Sequence, residues 1–353
     1  MRVLMDCSFW GPGRPPAGRH IARDFAVTWA EEFPDDQLSV IIPHETVAVA
    51  EAQLGPMMPA VEILPTVRSS LPQAFAALGA GARRPGYDVT ITHNFAAIRP
   101  SGLGVCMVHD AIFVDSPEWF TWPERAYLAA IRPSLRRADI VLVTTSVEGA
   151  RIARVWPETA QRIQAVGLAG SREITECVPT PVSALRSKDF VLAVGRLNER
   201  KNLGRLLDAF TLLRDGATCD VELVVVGSPD GRWQSLDLPA GVAFTGALDD
   251  AELAWCYRNA RALVFPSLDE GFGMPAVEAV ACGTPVVCSD LPAFRELNVA
   301  SDYFDPRSTE NIARVLRSVV VGGIPRARPV PEQHTWPDVV RRTHDVIRRE
   351  LAK

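Results

Sequence analysis

The sequence has no apolar run approaching the roughly 20 residues that a helix needs to span a bilayer. At its start, Met1-Arg-Val-Leu-Met-Asp6 puts Asp6 and Trp10 where an export signal needs unbroken apolar residues, so a cytoplasmic location is expected. No Cys-x-x-Cys pair occurs among the seven cysteines, at positions 7, 106, 177, 219, 256, 282 and 288. An odd and scattered set supports neither a disulfide framework nor a zinc site, and burial as small packing residues is the better reading. There is no Asp-x-Asp motif of the kind that chelates a divalent ion to a substrate, so no metal and no cofactor is expected. The glycines between Gly11 and Gly18 do not make Gly-x-Gly-x-x-Gly, which removes support for a dinucleotide site. A net charge of −5 leaves no basic footprint for nucleic acid. Internal repeats and low-complexity tracts are also absent.

What is there is an ordinary globular composition, 47% hydrophobic and 22% charged over 353 residues, a length that suits two domains of roughly 150 residues each. Short apolar runs alternate with helical patterns, which predicts α/β architecture with parallel sheets covered by helices. The first half offers strands at Val3–Met5, Leu38–Ile42, Val89–Thr92, Val105–Val108, Ile140–Val143 and Ile163–Val166. The second offers Phe190–Val194, Val221–Val226, Val242–Phe244, Ala262–Phe265 and Pro285–Cys288. Between the halves, a Pro-, Ser- and Thr-rich stretch without a clear period reads as a linker. The expected organisation is an N-terminal domain over 1–170, a linker over 171–189, a second domain over 190–325, and a connector with a last helix over 326–353. In that helix Trp336, Val339, Val340, Thr343, Val346, Ile347 and Leu351 recur at i, i+3, i+4 spacing, so one apolar stripe must dock. Arg341, Arg342, Arg348 and Arg349 lie mostly off the stripe, as a solvated face or as a contact with anionic lipid or the other domain. Ser69–Arg84, with Leu71, Phe75 and Leu78, leaves a membrane contact open beside ordinary core packing.

The most specific stretch is Glu270-Gly-Phe-Gly-Met-Pro-Ala-Val-Glu278. A strand ends before it, a glycine-rich turn follows, and Pro275 sits where the first turn of a helix tolerates proline. Gly271 and Gly273 let the backbone approach a ligand, and the amides around Phe272 and Met274 would form an anion or hydroxyl site at the helix start. Glu270 and Glu278 could each take a pair of sugar hydroxyls, although two carboxylates at this spacing, taken alone, are common by chance. A second strand–turn–helix, Val194-Gly195-Arg196-Leu-Asn-Glu-Arg-Lys201-Asn-Leu, would project Arg196 and Lys201 near the C-terminal edge of a parallel sheet.

Together the two segments resemble the signature of glycosyltransferase family 4, retaining enzymes of the GT-B fold. The resemblance is continuous over most of Phe190–Pro306 and reduced to short islands in the first half. It implies two Rossmann-like domains facing a central cleft, with the C-terminal helix crossing back to the N-terminal domain. The N-terminal domain would bind the acceptor and the second the nucleotide-sugar donor. Arg196 and Lys201 would stabilise the charge developing on a diphosphate leaving group without a metal. Glu270 would bind the sugar and Glu278 the ribose, with Gly195 and Gly227 at strand ends beside the nucleotide and Ala247 and Leu248 contacting the base through their backbone. Asp249 and Asp250 open the next helix, where capping is the simpler account.

In the first half, Val105-Cys-Met-Val-His109-Asp110 is an apolar strand ending in a polar pair. It resembles the His-Asp element of bacterial family-4 transferases acting on polysaccharide precursors, often mannosyltransferases. His109 would then reach the transferred sugar, and Asp110 would order the loop. In the retaining mechanism usually assigned to the family, the leaving phosphate itself takes the acceptor proton. Gly11-Pro-Gly13-Arg-Pro-Pro-Ala-Gly18-Arg-His20 follows the first strand, and its end resembles the family's Gly-Arg-Tyr element with His in place of Tyr. Gly13 and Gly18 could cradle a phosphate or approach the acceptor. Thr144-Thr145-Ser146 is expected to cap a helix from about Val147, and His93-Asn94-Phe95 is either a turn or part of an acceptor pocket.

The expected reaction is transfer of a hexose, mannose favoured, from a nucleoside diphosphate sugar to a hydroxyl of a glycan or lipid-linked glycan. GDP-mannose stands slightly ahead of UDP-glucose, UDP-N-acetylglucosamine or a deoxysugar donor. Two alternatives stay open: a sugar-nucleotide epimerase on the same fold, and a non-catalytic nucleotide-sugar-binding subunit. Peripheral contact with the inner membrane surface stays open too. Acceptor choice would reside in the loops around Trp10, Phe95 and Trp119.

Overall fold

The computed structural model describes residues 1–11, 16–54, 61–66, 79, 84–185, 189–215, 220–228, 239–321 and 327–353. Gly13, Cys219 and nearly all of 69–84 therefore lie outside the described residues. The chain divides into two units, Met1–Leu168 with Thr335–Lys353, and Ala169–His334.

The first unit carries a parallel sheet of order β3-β2-β1-β4-β5-β6-β7. Its strands are β1 (Arg2–Asp6), β2 (Gln37–Pro43), β3 (Val61–Thr66), β4 (Val89–His93), β5 (Leu103–Val108), β6 (Ile140–Val143) and β7 (Ile163–Ala165). Strands β4 and β6 are buried at every position, as strands covered on both faces must be, and β6 accordingly reads as an unbroken apolar run. Strand β3 was not foreseen. It is an edge strand holding Glu62 and Pro65, residues that an unpaired edge tolerates and that hide the apolar signal.

The helix Trp336–Leu351 belongs to this first unit and packs on the helix Pro16–Glu32. Trp336, Val339, Val340, Thr343 and Ile347 are buried, whereas Leu351, in the final turn, is 43% exposed. Phe25 meets Trp336 edge-on at 6.3 Å, and His344 stacks on Phe33 at 3.8 Å. Of the arginines off the stripe, Arg341 pairs with Glu32 at 2.7 Å and Arg342 with Asp338 at 2.7 Å.

The second unit carries a parallel sheet of order β10-β9-β8-β11-β12-β13. Its strands are β8 (Phe190–Val194), β9 (Glu222–Val226), β10 (Val242–Gly246), β11 (Leu263–Phe265), β12 (Val286–Ser289) and β13 (Asp302–Phe304). Strand β13, again an edge, is too short to announce itself. The stretch 171–189, expected as a linker, belongs to this unit and opens with the helix Arg172–Glu176. Thr180 N–H donates to the Ala251 carbonyl at 3.0 Å, and Arg258 reaches the Thr175 carbonyl at 3.1 Å. A single helical turn is too short to show a period, which is why no pattern is legible there.

Val191, Leu206, Phe210, Leu223, Val264 and Leu316 lie in one apolar core around β8. From β8 the chain proceeds to β9 on one side and later returns to β11 on the other, so β8 and β11 border the switch point of the sheet. Ligands of open parallel sheets bind beyond the strand C-termini at such a point. No helix among the described residues is long and apolar enough to cross a membrane.

Candidate functional site

The segments leaving β8 and β11 meet through side chains. After β8 comes the 3-10 turn Glu199–Lys201, capped by Asn198, whose Oδ1 accepts the Lys201 N–H at 3.1 Å. Asn202 ends the turn in the left-handed region, a conformation that asparagine tolerates better than most residues. Its buried Nδ2 donates to the carbonyls of Pro266 at 3.0 Å and Pro306 at 2.7 Å, fastening the turn to the chain beyond β11.

This places two cations on one carboxylate. Lys201 Nζ lies 2.6 Å from Glu270 Oε1, and Arg200 Nη1 lies 2.7 Å from Oε2. Arg200 also donates to the Asp269 carbonyl at 2.8 Å, and Lys201 Nζ stands 4.4 Å from the centre of the Phe265 ring. Burial pushes the Glu270 carboxyl up, but the charges of Arg200 and Lys201 outweigh it and hold its pKa down at about 2. Burial likewise pushes the Lys201 ammonium below its ordinary value, with Glu270 opposing. Arg196 is exposed on the same loop, two residues beyond β8.

Gly195 and Gly227 shape the floor of this region. A Cβ on Gly195 would stand 3.1 Å from Lys201 Cε, so the Lys201 stem fills that space. Gly227 has φ +152, and a Cβ there would fall 1.9 Å from the Gly195 carbonyl oxygen, which only glycine avoids. After β10, Ala247 is exposed and Leu248 half-buried. Asp249 caps the following helix Asp250–Asn259 in a reciprocal box with Glu252.

Gly271, Phe272, Gly273 and Met274 are buried at the start of the helix Met274–Ala281. Phe272 packs edge-on against His334 at 5.4 Å. Gly273, at φ +104, is the N-cap and brings no side chain to satisfy the first-turn amides. Glu278 is buried one turn in, where Oε1 accepts the Ser171 N–H at 3.2 Å and Oε2 accepts the Tyr257 hydroxyl at 3.1 Å.

In the first unit, His109 follows β5. Its N–H donates to Asn94 Oδ1 at 3.1 Å and its carbonyl accepts from Thr144 Oγ1 at 3.3 Å. Its ring lies parallel to that of His93, 5.4 Å apart and 7° from coplanar. Burial depresses both imidazoles, His109 to about 4 and His93 to about 3, so both are neutral near pH 7. Asp110 accepts the Ile112 N–H at 3.2 Å, ordering the loop. Gly18 falls within the helix Pro16–Glu32, where a Cβ would meet the Phe9 ring at 3.1 Å. Thr145 caps the helix Ser146–Val155 by accepting the Glu148 N–H at 3.0 Å. Trp10 and Phe95 are buried and Trp119 half-buried.

Of the residues singled out from sequence, the structure thus brings Lys201, Gly195 and Gly227 together with Glu270. It adds Arg200, Tyr257 and Ser171 to the residues that the motifs single out. An adjacent Arg-Lys pair in a capped turn was a usable signal for Arg200. Ser171 lies 107 positions from Glu278, and no local pattern points to it.

Residues 182–332 match the family model described as Glycosyl transferases group 1. The O-antigen chain mannosyltransferase B of Escherichia coli is 30% identical over 231 residues, 61% of this chain and 61% of that protein. A phosphatidyl-myo-inositol mannosyltransferase of Mycobacterium leprae is 37% identical over 153 residues, 41% of each chain. The chain therefore spans about three fifths of the first relative's length and about two fifths of the second's. Sucrose-phosphate synthase from Thermosynechococcus elongatus aligns in structure with a TM-score of 0.64 at 16% identity, over 99% of this chain and 94% of that one. That likeness shows the fold, two parallel-stranded Rossmann-like sheets with helices, of the GT-B class.

Proposed function

We propose that this chain, whose residues 182–332 form a group 1 glycosyltransferase domain, is a retaining family-4 enzyme that transfers a hexose from a nucleoside diphosphate sugar to a hydroxyl of a glycan or glycolipid acceptor. The observation that carries the reading is the buried pairing of Lys201 and Arg200 with Glu270 at the switch point of the second sheet. Cleaving a sugar–phosphate bond leaves negative charge on the diphosphate, and fixed cations stabilise it there. Lys201 and Arg196 take that role in the proposal, and the amides of Phe272–Met274 at the helix start add a second anion site. Glu270, held ionised, accepts hydroxyls of the sugar. Glu278, held in place by the Ser171 N–H and the Tyr257 hydroxyl, accepts the ribose hydroxyls. Gly195 and Gly227 admit the nucleotide, Ala247 and Leu248 meet the base, and Gly18 lies at a helix start suited to phosphate. His109, as a neutral imidazole, hydrogen-bonds the transferred sugar and carries no charge into the reaction.

The two mannosyltransferase relatives favour mannose, with GDP-mannose as donor. With side-chain cations on the diphosphate, the proposal needs no metal and no cofactor, and activity should persist in excess chelator. The proposed location is cytoplasmic, with room for peripheral contact with the inner membrane surface. Incubation with GDP-mannose, UDP-glucose and UDP-N-acetylglucosamine tests the whole reading by acceptor-dependent release of nucleotide. Epimerised donor, or binding without such release, would sink it.

A further inference from the structure

Glu148 is a fully buried carboxylate in the first turn of the helix Ser146–Val155, whose Ile152 belongs to an apolar core with Ala111, Phe113 and Trp156. A charge so placed is costly unless specific bonds offset it. Its Oε1 accepts the N–H of Ala111 at 2.7 Å. Arg151 Nη1 lies 3.5 Å from its Oε2 and Arg151 Nε lies 3.5 Å from Asp115, which pairs with Arg154 at 2.6 Å. One helix thus grips both ends of 111–115, the segment that leaves His109. The His109 peptide is itself fixed by Asn94 and Thr144, and its ring by the stack on His93. The exit from His109 is held by Glu148 at Ala111, beside Asp110, whose Oδ1 accepts the Ile112 N–H at 3.2 Å.

We propose that Glu148 is a positioning residue for His109, acting through the amide of Ala111. It touches no reacting atom and works by geometry, since an apolar side chain would fill the same core at less cost. The inference rests on the sugar-contacting role given to His109 above.

The test uses the full chain with Glu148→Gln, Glu148→Asp and Glu148→Ala. Glutamine keeps an oxygen at the same reach, so it should retain near-normal turnover. Aspartate keeps the charge but retracts it by one methylene, so it should lose turnover, as should alanine. A small displacement of a group acting on substrate can cost roughly 10²-fold, and a fall in kcat of roughly 10- to 100-fold is expected for Glu148→Ala with donor KM little changed. In a His109→Ala background Glu148→Ala should cost nothing further, because the route through His109 is already gone. Hydrogen exchange at the Ala111 amide should quicken in Glu148→Asp and stay protected in Glu148→Gln. Independent, multiplying losses from His109→Ala and Glu148→Ala would overturn the proposal, and so would unchanged exchange at Ala111 in Glu148→Asp. If the wild-type chain transfers from none of the donors, the proposed function fails instead. The exchange measurement still decides whether Glu148 holds the His109 exit, and if Glu148→Ala does not fold, the Gln and Asp pair carries the comparison.

Discussion

At the scale of single residues, Glu270 and His109 show how burial acts with opposite results. Glu270 is drawn down to a pKa of about 2 because two cations outweigh its desolvation. Its ion pairs therefore stabilise the fold fully above the ordinary glutamate value of about 4.3, and that contribution is lost as pH falls through about 2. Lys201→Ala should lower turnover by about 10²–10³-fold while the far-UV circular dichroism stays native. Its stability deficit against wild type, measured by urea titration, should narrow as pH is taken from 6 towards 2. His109 has no such partner charge, and burial alone takes it down to about 4. The unfolded chain binds the proton first, so this group costs stability as pH falls from about 6.5 towards 4. The His109 and His93 ring signals in NMR should show no inflection between pH 7 and pH 5; an inflection near 6.5 in either would contradict the lowered values.

Among the elements, the central strands and the edges β7 and β10 were legible, and the edges β3 and β13 were not. β6 and β8 are apolar because helices cover both their faces, and that burial is written into consecutive residues. β3 and β13 carry polar residues or proline because one side of each lacks a strand partner, so the same rule leaves no run to read. The last helix shows how much periodicity decides. Its i, i+3, i+4 stripe is the buried face, while the stack of His344 on Phe33 could not be read, since it requires the partner helix to be in place. Trp336, 4% exposed and set edge-on to Phe25, anchors that face. Trp336→Ala should cost about 3–5 kcal/mol of stability, seen as a lower urea midpoint. A variant as stable as wild type would mean that this helix does not depend on that anchor.

For the whole molecule, the expected consequence is ligand-linked stability. A nucleoside diphosphate that binds only the folded chain stabilises it by about 2.7 kcal/mol at a hundredfold excess over Kd. A thermal-shift comparison should therefore show a larger rise with GDP than with UDP, and the reverse order would redirect the donor assignment. The first unit is built from both ends of the chain, Met1–Leu168 and Thr335–Lys353, with the second formed by the residues between. Periodicity indicated a helix that must dock, but the division of the chain is a property of contacts between distant segments.

Sequence by itself determined the α/β class, the glycine-rich helix start at Gly273, the capped turns at Thr145 and Asp249, and the candidate residues Lys201, Glu270, Glu278 and His109. Each is fixed by the chemistry of neighbours within a few positions, which a linear pattern records. Tertiary structure alone decided that Lys201, 69 positions from Glu270, shares it with Arg200, that Ser171 and Tyr257 bond Glu278, and that Glu148 accepts the Ala111 N–H. These pairings depend on sheet order, which sets β8 beside β11 and β5 beside β6, and no short-range signal encodes it.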